Sequence, residues 1–198
     1  MATTIRPYHH GNLRAALLEG AERALARGGV QELSLREVAR EIGVSHAAPR
    51  RHFAGKQALL DALAEDGFLR LEREMREAIA GAGDGFRERL SALARTYVRF
   101  ATQHAALLEL MYAGKHRPDA AAIREAAERA FAAPLALIAD GQAGGDVVAS
   151  DPERIGALAW ASFHGLAAMA NGGLLDGAAL DVLVDEAVVQ LLEGLRPR

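Results

Sequence analysis

The chain has 198 residues and a formal net charge of −3, but the charge is unevenly distributed. Residues 1–56 hold nine Lys and Arg against five Asp and Glu, whereas residues 57–198 hold fourteen against twenty-one, so only the N-terminal end is suited to approach phosphate. The absence of cysteine excludes disulfides, thiolate metal sites and cysteine nucleophiles. Charge interrupts every apolar run well before the roughly 18 residues that a membrane span needs, so we expect a soluble, cytoplasmic protein.

The first predicted helix lies near the N-terminus. Asn12 is the expected cap, apolar residues recur on one face to about Arg27, and Gly28 and Gly29 end the helix. The segment before it is an arm with two open interpretations, a contact in a DNA groove or a charged tail. The basic side chains of this arm are Arg6, His9 and His10.

A helix-turn-helix is predicted next along the chain. Ser34 and Glu37 have the S-x-x-E spacing in which each side chain can cap the other residue's backbone N–H, so a helix begins at about Leu35. Gly43 can adopt the left-handed conformation that ends a helix, and Ser45 is the next candidate N-cap. The turn between the two helices is about three or four residues long, as a helix-turn-helix requires.

The second helix of this motif is the candidate DNA-contacting element. Pro49 and Phe53 are four residues apart and share its buried face, which leaves Ala47, Arg50 and Arg51 on the opposite, exposed face. Small residues let the backbone approach the major groove, and arginine can pair with guanine or phosphate. Because Pro49 lacks an N–H, the helix is expected to start a residue or two late. The predicted DNA-contacting residues are Ser34, Arg36, Ser45, His46, Ala47, Ala48, Arg50, Arg51, His52 and Lys56.

Helical periodicity continues over the rest of the chain, without sustained strand-like alternation. Pro134 is expected to kink one helix, and Asp151, Pro152 and Glu153 open another with a cap, an N1 proline and an acidic first turn. These helices cover about residues 56–80, 86–103, 104–113, 119–140, 152–171 and 180–195. We predict an all-α fold with a three-helix helix-turn-helix domain at residues 1–55 and a second helical domain at residues 56–198.

Residues 8–68 resemble the N-terminal domain of the TetR family of bacterial regulators. The resemblance includes the Gly43-Val44-Ser45 turn, the His52-Phe53 pair, and Lys56 at the start of the connecting helix. It implies a homodimeric transcriptional repressor that binds a double-stranded DNA operator and releases it when a small molecule enters the second domain. Arg50 departs from the family, which usually has a tyrosine that contacts the DNA backbone there, so we expect Arg50 to contact phosphate.

The second domain is expected to bind this ligand and to dimerise. Trp160, His164 and Gly165 resemble the Trp-x-x-x-His-Gly pattern of one TetR branch. His164 could contact the ligand, but a buried histidine with a satisfied hydrogen bond is the interpretation we favour. The predicted pocket residues are Phe100, His104, Leu107, Met111, Tyr112, Phe131, Trp160, Phe163 and His164. The last helix carries a broad apolar stripe, and the helix at residues 152–171 is almost wholly apolar from Ile155 to Ala170, so two helices from each subunit are predicted to form a two-fold interface. The predicted interface residues are Val184, Val188, Leu191 and Leu192.

An enzyme is the main alternative to a regulator. The sequence lacks a nucleophile elbow, a phosphate-binding Gly-Lys-Ser/Thr loop and a His-Glu-x-x-His zinc motif. A helical enzyme that uses His104, His164 or Tyr112 as an acid or base stays open. So does an interaction module that Pro49 and Arg50 have deprived of DNA binding. We predict no catalytic residue, no metal and no cofactor.

Overall fold

The computed structural model describes residues 13–196. Within this range the chain forms helices and turns without a strand, so the predicted all-α fold is confirmed. The expected cap Asn12 and the basic residues Arg6, His9 and His10 lie outside the described residues. The helices are α1 (Leu13–Glu32), α2 (Leu35–Glu41), α3 (Lys56–Gly81), α4 (Phe86–Gln103), α5 (Ala105–Lys115), α6 (Ala121–Gly144), α7 (Pro152–Asn171) and α8 (Gly177–Gly194), and a 3-10 turn covers Pro49–Arg51.

Local capping chemistry sets several helix ends. The Ser34 hydroxyl accepts the backbone N–H of Glu37 at 3.2 Å and so begins α2 as predicted. The Asp151 carboxylate accepts the N–H of Glu153 at 2.9 Å at the start of α7. Helix α8 begins three residues earlier than predicted because Asp176 caps it, through a 2.8 Å hydrogen bond from the Ala179 N–H.

Glycine positions account for two further differences from the predicted boundaries. Gly29 has a φ of 66°, which breaks the helical path of α1, and three more residues follow before the helix ends. Helix α6 stays helical through Pro134, and the expected kink there stays a prediction. The helix ends at Gly145, whose φ of 81° is the left-handed conformation of a helix C-terminus.

The long helix α3 is the centre of the packing. It lies against α4, α5 and α6, and it also contacts α1 of the N-terminal domain. Phe68 of α3 is fully buried. At Gly67 a side chain would place its Cβ 2.7 Å from the Met111 Sδ, so the glycine allows α5 to approach closely. The N-terminal domain therefore shares a continuous core with the rest of the chain.

Helices α7 and α8 form the outer layer of the second domain, packed on each other and on α4. Val184 and Val188 of α8 are each 1% exposed, because their side chains lie inside the chain's own core. The prediction that these two valines form a dimer interface is therefore wrong, since a partner could not reach them. Leu191 and Leu192 are half-buried, and their role stays a prediction. Within residues 13–196, no helix has the length and hydropathy to cross a membrane.

Candidate DNA-binding surface and ligand cavity

The predicted DNA-contacting helix is not a regular α-helix. It is reduced to the 3-10 turn at Pro49–Arg51, and Ser45 does not begin a helix. The cause is Pro49, which has no N–H to donate to the Ser45 carbonyl. The Ala48 N–H donates to that carbonyl instead, at 3.0 Å, and the N–H of Phe53 closes the next turn on the Pro49 carbonyl at 2.9 Å. This part of the sequence-based interpretation is corrected.

The two faces of this segment are nevertheless as predicted. Pro49 and Phe53 are buried, and the Arg14 guanidinium lies 5.8 Å from the centroid of the Phe53 ring. The side chains of Ala47, Arg50, Arg51 and their neighbours Ser45, His46 and His52 are exposed, whereas Ala48 is half-buried. Arg36 of α2 is exposed as well. The turn thus presents a basic, solvent-facing surface, and its contact with DNA stays a prediction.

Ser34 and Lys56 have structural partners within the chain. The Ser34 hydroxyl is used in the cap of α2. The Lys56 ammonium donates to the carbonyl of Gln31 at 3.2 Å, which ties the start of α3 to the end of α1. Because the ammonium has two further N–H groups, this bond leaves a phosphate contact open. Sequence spacing could not reveal Gln31, which is 25 residues away from Lys56.

An ion-pair cluster holds α1 against α2 behind this surface. The Glu41 carboxylate accepts hydrogen bonds from both Arg27 and Arg23. Hydrogen bonds from Arg27 and then Arg23 keep the pKa of Glu41 below its ordinary value. The cluster fixes the position of α2, and with it the turn that follows.

The second domain contains a cavity of about 280 Å³ between α3, α4, α5, α6 and α7. Its walls are mainly apolar, and Met75 of α3 is part of them. Lys115, Glu153 and the hydroxyl groups of Tyr97 and Tyr112 bring polar atoms to the lining residues. The apolar side chains include Leu90, Leu93, Phe131, Leu135, Ile138 and Phe163.

Some of the predicted pocket residues lie at this cavity and others do not. Tyr112, Phe131, Trp160 and Phe163 line it, whereas His164 lies behind the Trp160 ring. The residues that do not line it are Phe100, His104, Leu107 and Met111. Helical periodicity could not separate these two groups, because a stripe that faces a cavity and one that faces solid core have the same spacing.

The four residues that do not line the cavity have identifiable packing roles. Phe100 is fully buried beneath the Arg70 guanidinium, 5.3 Å from its ring centroid. Leu107 and Met111 of α5 pack against Gly67 of α3. His104 lies at the joint with the N-terminal domain, where its Nδ1 is 2.9 Å from the carboxylate of Glu22. These four residues therefore do not line this cavity.

A hydrogen-bonded aromatic cluster forms one wall of the cavity. The Trp160 indole N–H donates to the hydroxyls of Tyr97 at 2.9 Å and Tyr112 at 3.1 Å. The Tyr97 hydroxyl is also 2.9 Å from Nδ1 of His164, whose ring stacks on Trp160 at 4.8 Å. His164 thus has a hydrogen-bond partner within the chain, as the interpretation of His164 as a core residue rather than a ligand contact requires. Tyr97 was missed from the sequence because its partners lie 15 to 67 residues away.

Burial keeps this cluster uncharged. Desolvation raises the pKa of Tyr97 far above its ordinary value, and it also raises that of Tyr112. Burial lowers the pKa of His164, which favours its neutral imidazole. The cluster therefore offers neutral hydrogen-bonding groups that already satisfy one another, and it supplies no charge to the cavity.

Comparisons with known proteins agree with this two-part structure. Residues 17–63 match the model of bacterial regulatory proteins of the tetR family, and residues 90–195 match that of the tetracyclin repressor-like C-terminal domain. A structure of a protein of unknown function from Rhodococcus sp. RHA1 is 47% identical, with a TM-score of 0.89, and the match covers 98% of this chain and 100% of that one.

Two regulators share the fold at lower sequence identity. The fatty acid degradation regulator FadR from Bacillus halodurans is 18% identical with a TM-score of 0.76, and the match covers 92% of this chain and all of that one. FadR from Bacillus subtilis, solved in complex with stearoyl-CoA, is 13% identical with a TM-score of 0.73 over 92% of this chain and all of that one. A search of curated proteins finds no match. The family models span most of the described residues, and the chain belongs to the TetR family of bacterial transcriptional regulators.

Proposed function

We propose that the protein is a homodimeric repressor that binds operator DNA through residues 45–52 and releases it when a small molecule enters the cavity. The observation that carries this proposal is the course of α3. The helix begins at Lys56, next to the basic turn, and reaches the cavity wall at Met75. One continuous helix therefore connects the two candidate sites, as expected for a protein in which ligand binding at one site changes the affinity of the other site for DNA.

A second connection joins the cavity domain to α1. The Glu22 carboxylate accepts two hydrogen bonds from Arg70 of α3, at 2.9 and 3.0 Å, and it also pairs with His104 at the start of α5. A shift of α3 or α5 would therefore move α1 and the helix-turn-helix with it. A ligand can weaken DNA binding only by preferring one conformation. A coupling of about 3 kcal/mol would weaken operator binding roughly 150-fold.

The exposed face of α7 is the surface we propose for the dimer. Between Ile155 and Asn171 this helix carries no Asp, Glu, Lys or Arg. Leu158 is 68% exposed and Met169 is 42% exposed, and Gly165 between them is exposed with open space around it. A solvent-facing apolar stripe of this kind marks an interaction surface, and two copies related by a two-fold axis would cover it.

The cavity and its surroundings support the ligand part of the proposal. An apolar pocket with few polar groups is the usual form of a small-molecule site. The Bacillus subtilis FadR structure was solved in complex with stearoyl-CoA, so a regulator of this fold can hold a molecule with an apolar chain. An enzyme is less well supported, because the tyrosines and the histidine of the cluster are hydrogen-bonded to one another.

The proposal is tested by footprinting the purified protein on DNA upstream of its own coding region and of neighbouring genes. We expect a protected site with two-fold symmetry, binding that falls steeply with salt, and loss of protection when a cavity ligand is added. Catalysis without DNA affinity would favour the enzyme. Binding of ligands to the cavity that never changes operator affinity would contradict ligand control.

The role of Arg50 is predicted within this framework. Because its side chain projects from the exposed face of the 3-10 turn, Arg50→Ala should weaken binding to all DNA sequences alike and lower the salt slope by about one unit per subunit. Arg50→Tyr should keep the operator preference. Titration of operator and random duplexes at several salt concentrations checks both variants.

Arg87→Ala is the control for this experiment, since Arg87 is an exposed arginine on α4 of the second domain. It should leave the salt slope unchanged. If Arg50→Tyr instead changes the preferred base at a symmetric pair of operator positions, Arg50 reads sequence and the phosphate assignment is wrong.

A further inference from the structure

We propose that the cavity takes a compact apolar molecule that carries one carboxylate or similar anionic group, and that Lys115 binds this group. The inference rests on the proposed function in one respect only, namely that the cavity is the effector site. It adds the chemical class of the effector and the residue that selects it.

The size and walls of the cavity favour a compact apolar body. Its volume of about 280 Å³ is at the lower end of the roughly 300–1,000 Å³ usual for ligand pockets. Leu90, Phe131, Ile138 and Phe163 surround it with aliphatic and aromatic surface. A ring or short branched chain fits these walls, whereas a sugar or another polyhydroxylated molecule would lose hydrogen bonds to water without replacement.

The aromatic wall offers little further hydrogen bonding to a ligand. The Trp160 N–H is already donated to two hydroxyls, and the Tyr97 hydroxyl lies within hydrogen-bond distance of Tyr112 and of His164. The wall therefore presents mainly ring faces and edges to the cavity. Specific polar recognition must come from elsewhere in the lining.

Lys115 is the group that fits this requirement. It is the last residue of α5, it is half-buried, and its Nζ lies 4.7 Å from the centroid of the Tyr112 ring. No carboxylate of the described residues lies within 4.0 Å of it, although eleven such ion pairs are formed elsewhere in residues 13–196. Burial lowers the pKa of Lys115 without an acidic partner to offset it.

An anionic ligand would supply the missing partner. An ammonium that is partly removed from water is stabilised by an opposite charge, and a charge-assisted hydrogen bond in such a place is stronger than one at the surface. Glu153 is the other charged residue of the lining, but it is exposed at the first turn of α7, where solvent screens its charge. The net preference of the cavity is therefore for an anion at Lys115.

The test uses three probes with one apolar body: 4-phenylbutyrate, 4-phenylbutanol and 4-phenylbutylamine. Trp160 is the only tryptophan of the chain and lies in the cavity wall, so its fluorescence reports binding to the full-length protein without DNA. We expect the carboxylate to bind about tenfold or more tightly than the alcohol, and the amine to bind most weakly. Equal affinities, tighter binding of the amine, or no binding of the carboxylate would overturn the proposal.

Variants assign the preference to Lys115. Lys115→Met should reduce the carboxylate's affinity to that of the alcohol and leave the alcohol's affinity unchanged, whereas Lys115→Arg should retain most of the preference. Arg73→Met removes one positive charge from an exposed position on α3 and is the matched control. Thermal unfolding of each variant shows that it is folded. A carboxylate preference that survives in folded Lys115→Met would refute the assignment.

This experiment is independent of the repressor proposal, because it contains no DNA. If the carboxylate binds through Lys115 but leaves operator affinity unchanged, ligand control fails and the anion site stands. If molecules that compete with the phenyl probes for the cavity trigger operator release, but the carboxylate shows no preference that depends on Lys115, ligand control stands and the anion site fails.

Discussion

Replacing Leu158 with aspartate should produce a folded monomer that has lost most of its affinity for operator DNA. Leu158 is 68% exposed within its own chain, so the substitution removes little intramolecular packing. In the proposed dimer, however, the change puts a carboxylate from each subunit into an apolar surface near a two-fold axis. Burial of an unpaired charge is costly there, and the two-fold axis doubles the penalty.

The loss of DNA affinity follows from the loss of the dimer. A dimer contacts the two half-sites of an operator. Once one subunit has bound its half-site, the other subunit is held near the second half-site at a high effective concentration. The linkage of two subunits raises affinity by a factor of about 10²–10⁴. We therefore expect Leu158→Asp to weaken operator binding at least 100-fold. Sedimentation and operator titration on the same sample measure both effects.

Val188→Asp provides the contrast to this variant. Val188 is 1% exposed and belongs to the intrachain core, so an aspartate there should unfold or misfold the protein. Leu158→Gln is the milder control and should weaken the dimer without adding charge. If Leu158→Asp is still a dimer at micromolar concentration, the interface does not lie on this face of α7.

The helices themselves could be predicted because local chemistry determines their ends. The side chains of Ser34 and Asp151 cap the backbone within three residues of their own positions, and such short-range bonds can be recognised from spacing alone. The apolar side chains of α3 recur with helical period, so this helix could also be predicted from the sequence. Where prediction failed locally, at Pro49, the missing N–H was recognised but its effect was underestimated. It removes most of a helix, leaving a three-residue turn.

Contacts between distant segments could not be predicted in the same way. The apolar stripe of α8 predicts burial, but periodicity cannot say whether its own chain or a partner covers Val184 and Val188. The cavity shows the same limit. Lys115 at a helix end has the sequence pattern of a solvated charge. Helical spacing places it beside Tyr112, three residues earlier on α5, but only the packing of α4, α5 and α7 places it at the cavity.

The ion pair between Glu22 and Arg70 is the contact whose loss we expect to affect both stability and signalling. Burial raises the pKa of Glu22, but the hydrogen bonds and charge of Arg70, and then those of His104, outweigh this effect and lower the pKa below 4.5. A carboxyl with a lowered pKa contributes stability above its ordinary pKa of 4.5, and that contribution disappears as the pH falls through the lowered value.

Glu22→Gln should therefore lower the free energy of unfolding by about 2 kcal/mol at pH 7, as expected for charge-assisted hydrogen bonds in a partly buried site. The difference from the unsubstituted protein should shrink below pH 4.5. Arg70→Met should have a similar effect at pH 7, and the double variant should cost less than the sum of the two, because both changes remove the same contact. Denaturant unfolding at a series of pH values measures these differences.

The ion pair between Arg95 and Asp185 is the matched control for the ion pair between Glu22 and Arg70. It has the same two-bond geometry, at 2.9 and 2.8 Å, but joins α4 to α8 and is about half exposed. Arg95→Met should therefore change stability by less than about 1 kcal/mol and leave ligand response unaltered.

Arg70→Met, by contrast, loosens α1 from α3 and should reduce the change in operator affinity that a cavity ligand produces. If Arg70→Met protein stays folded and responds fully to the ligand, the signal does not pass through this contact. The connection would then run along α3, from Met75 to Lys56, or through the pair between His104 and Glu22.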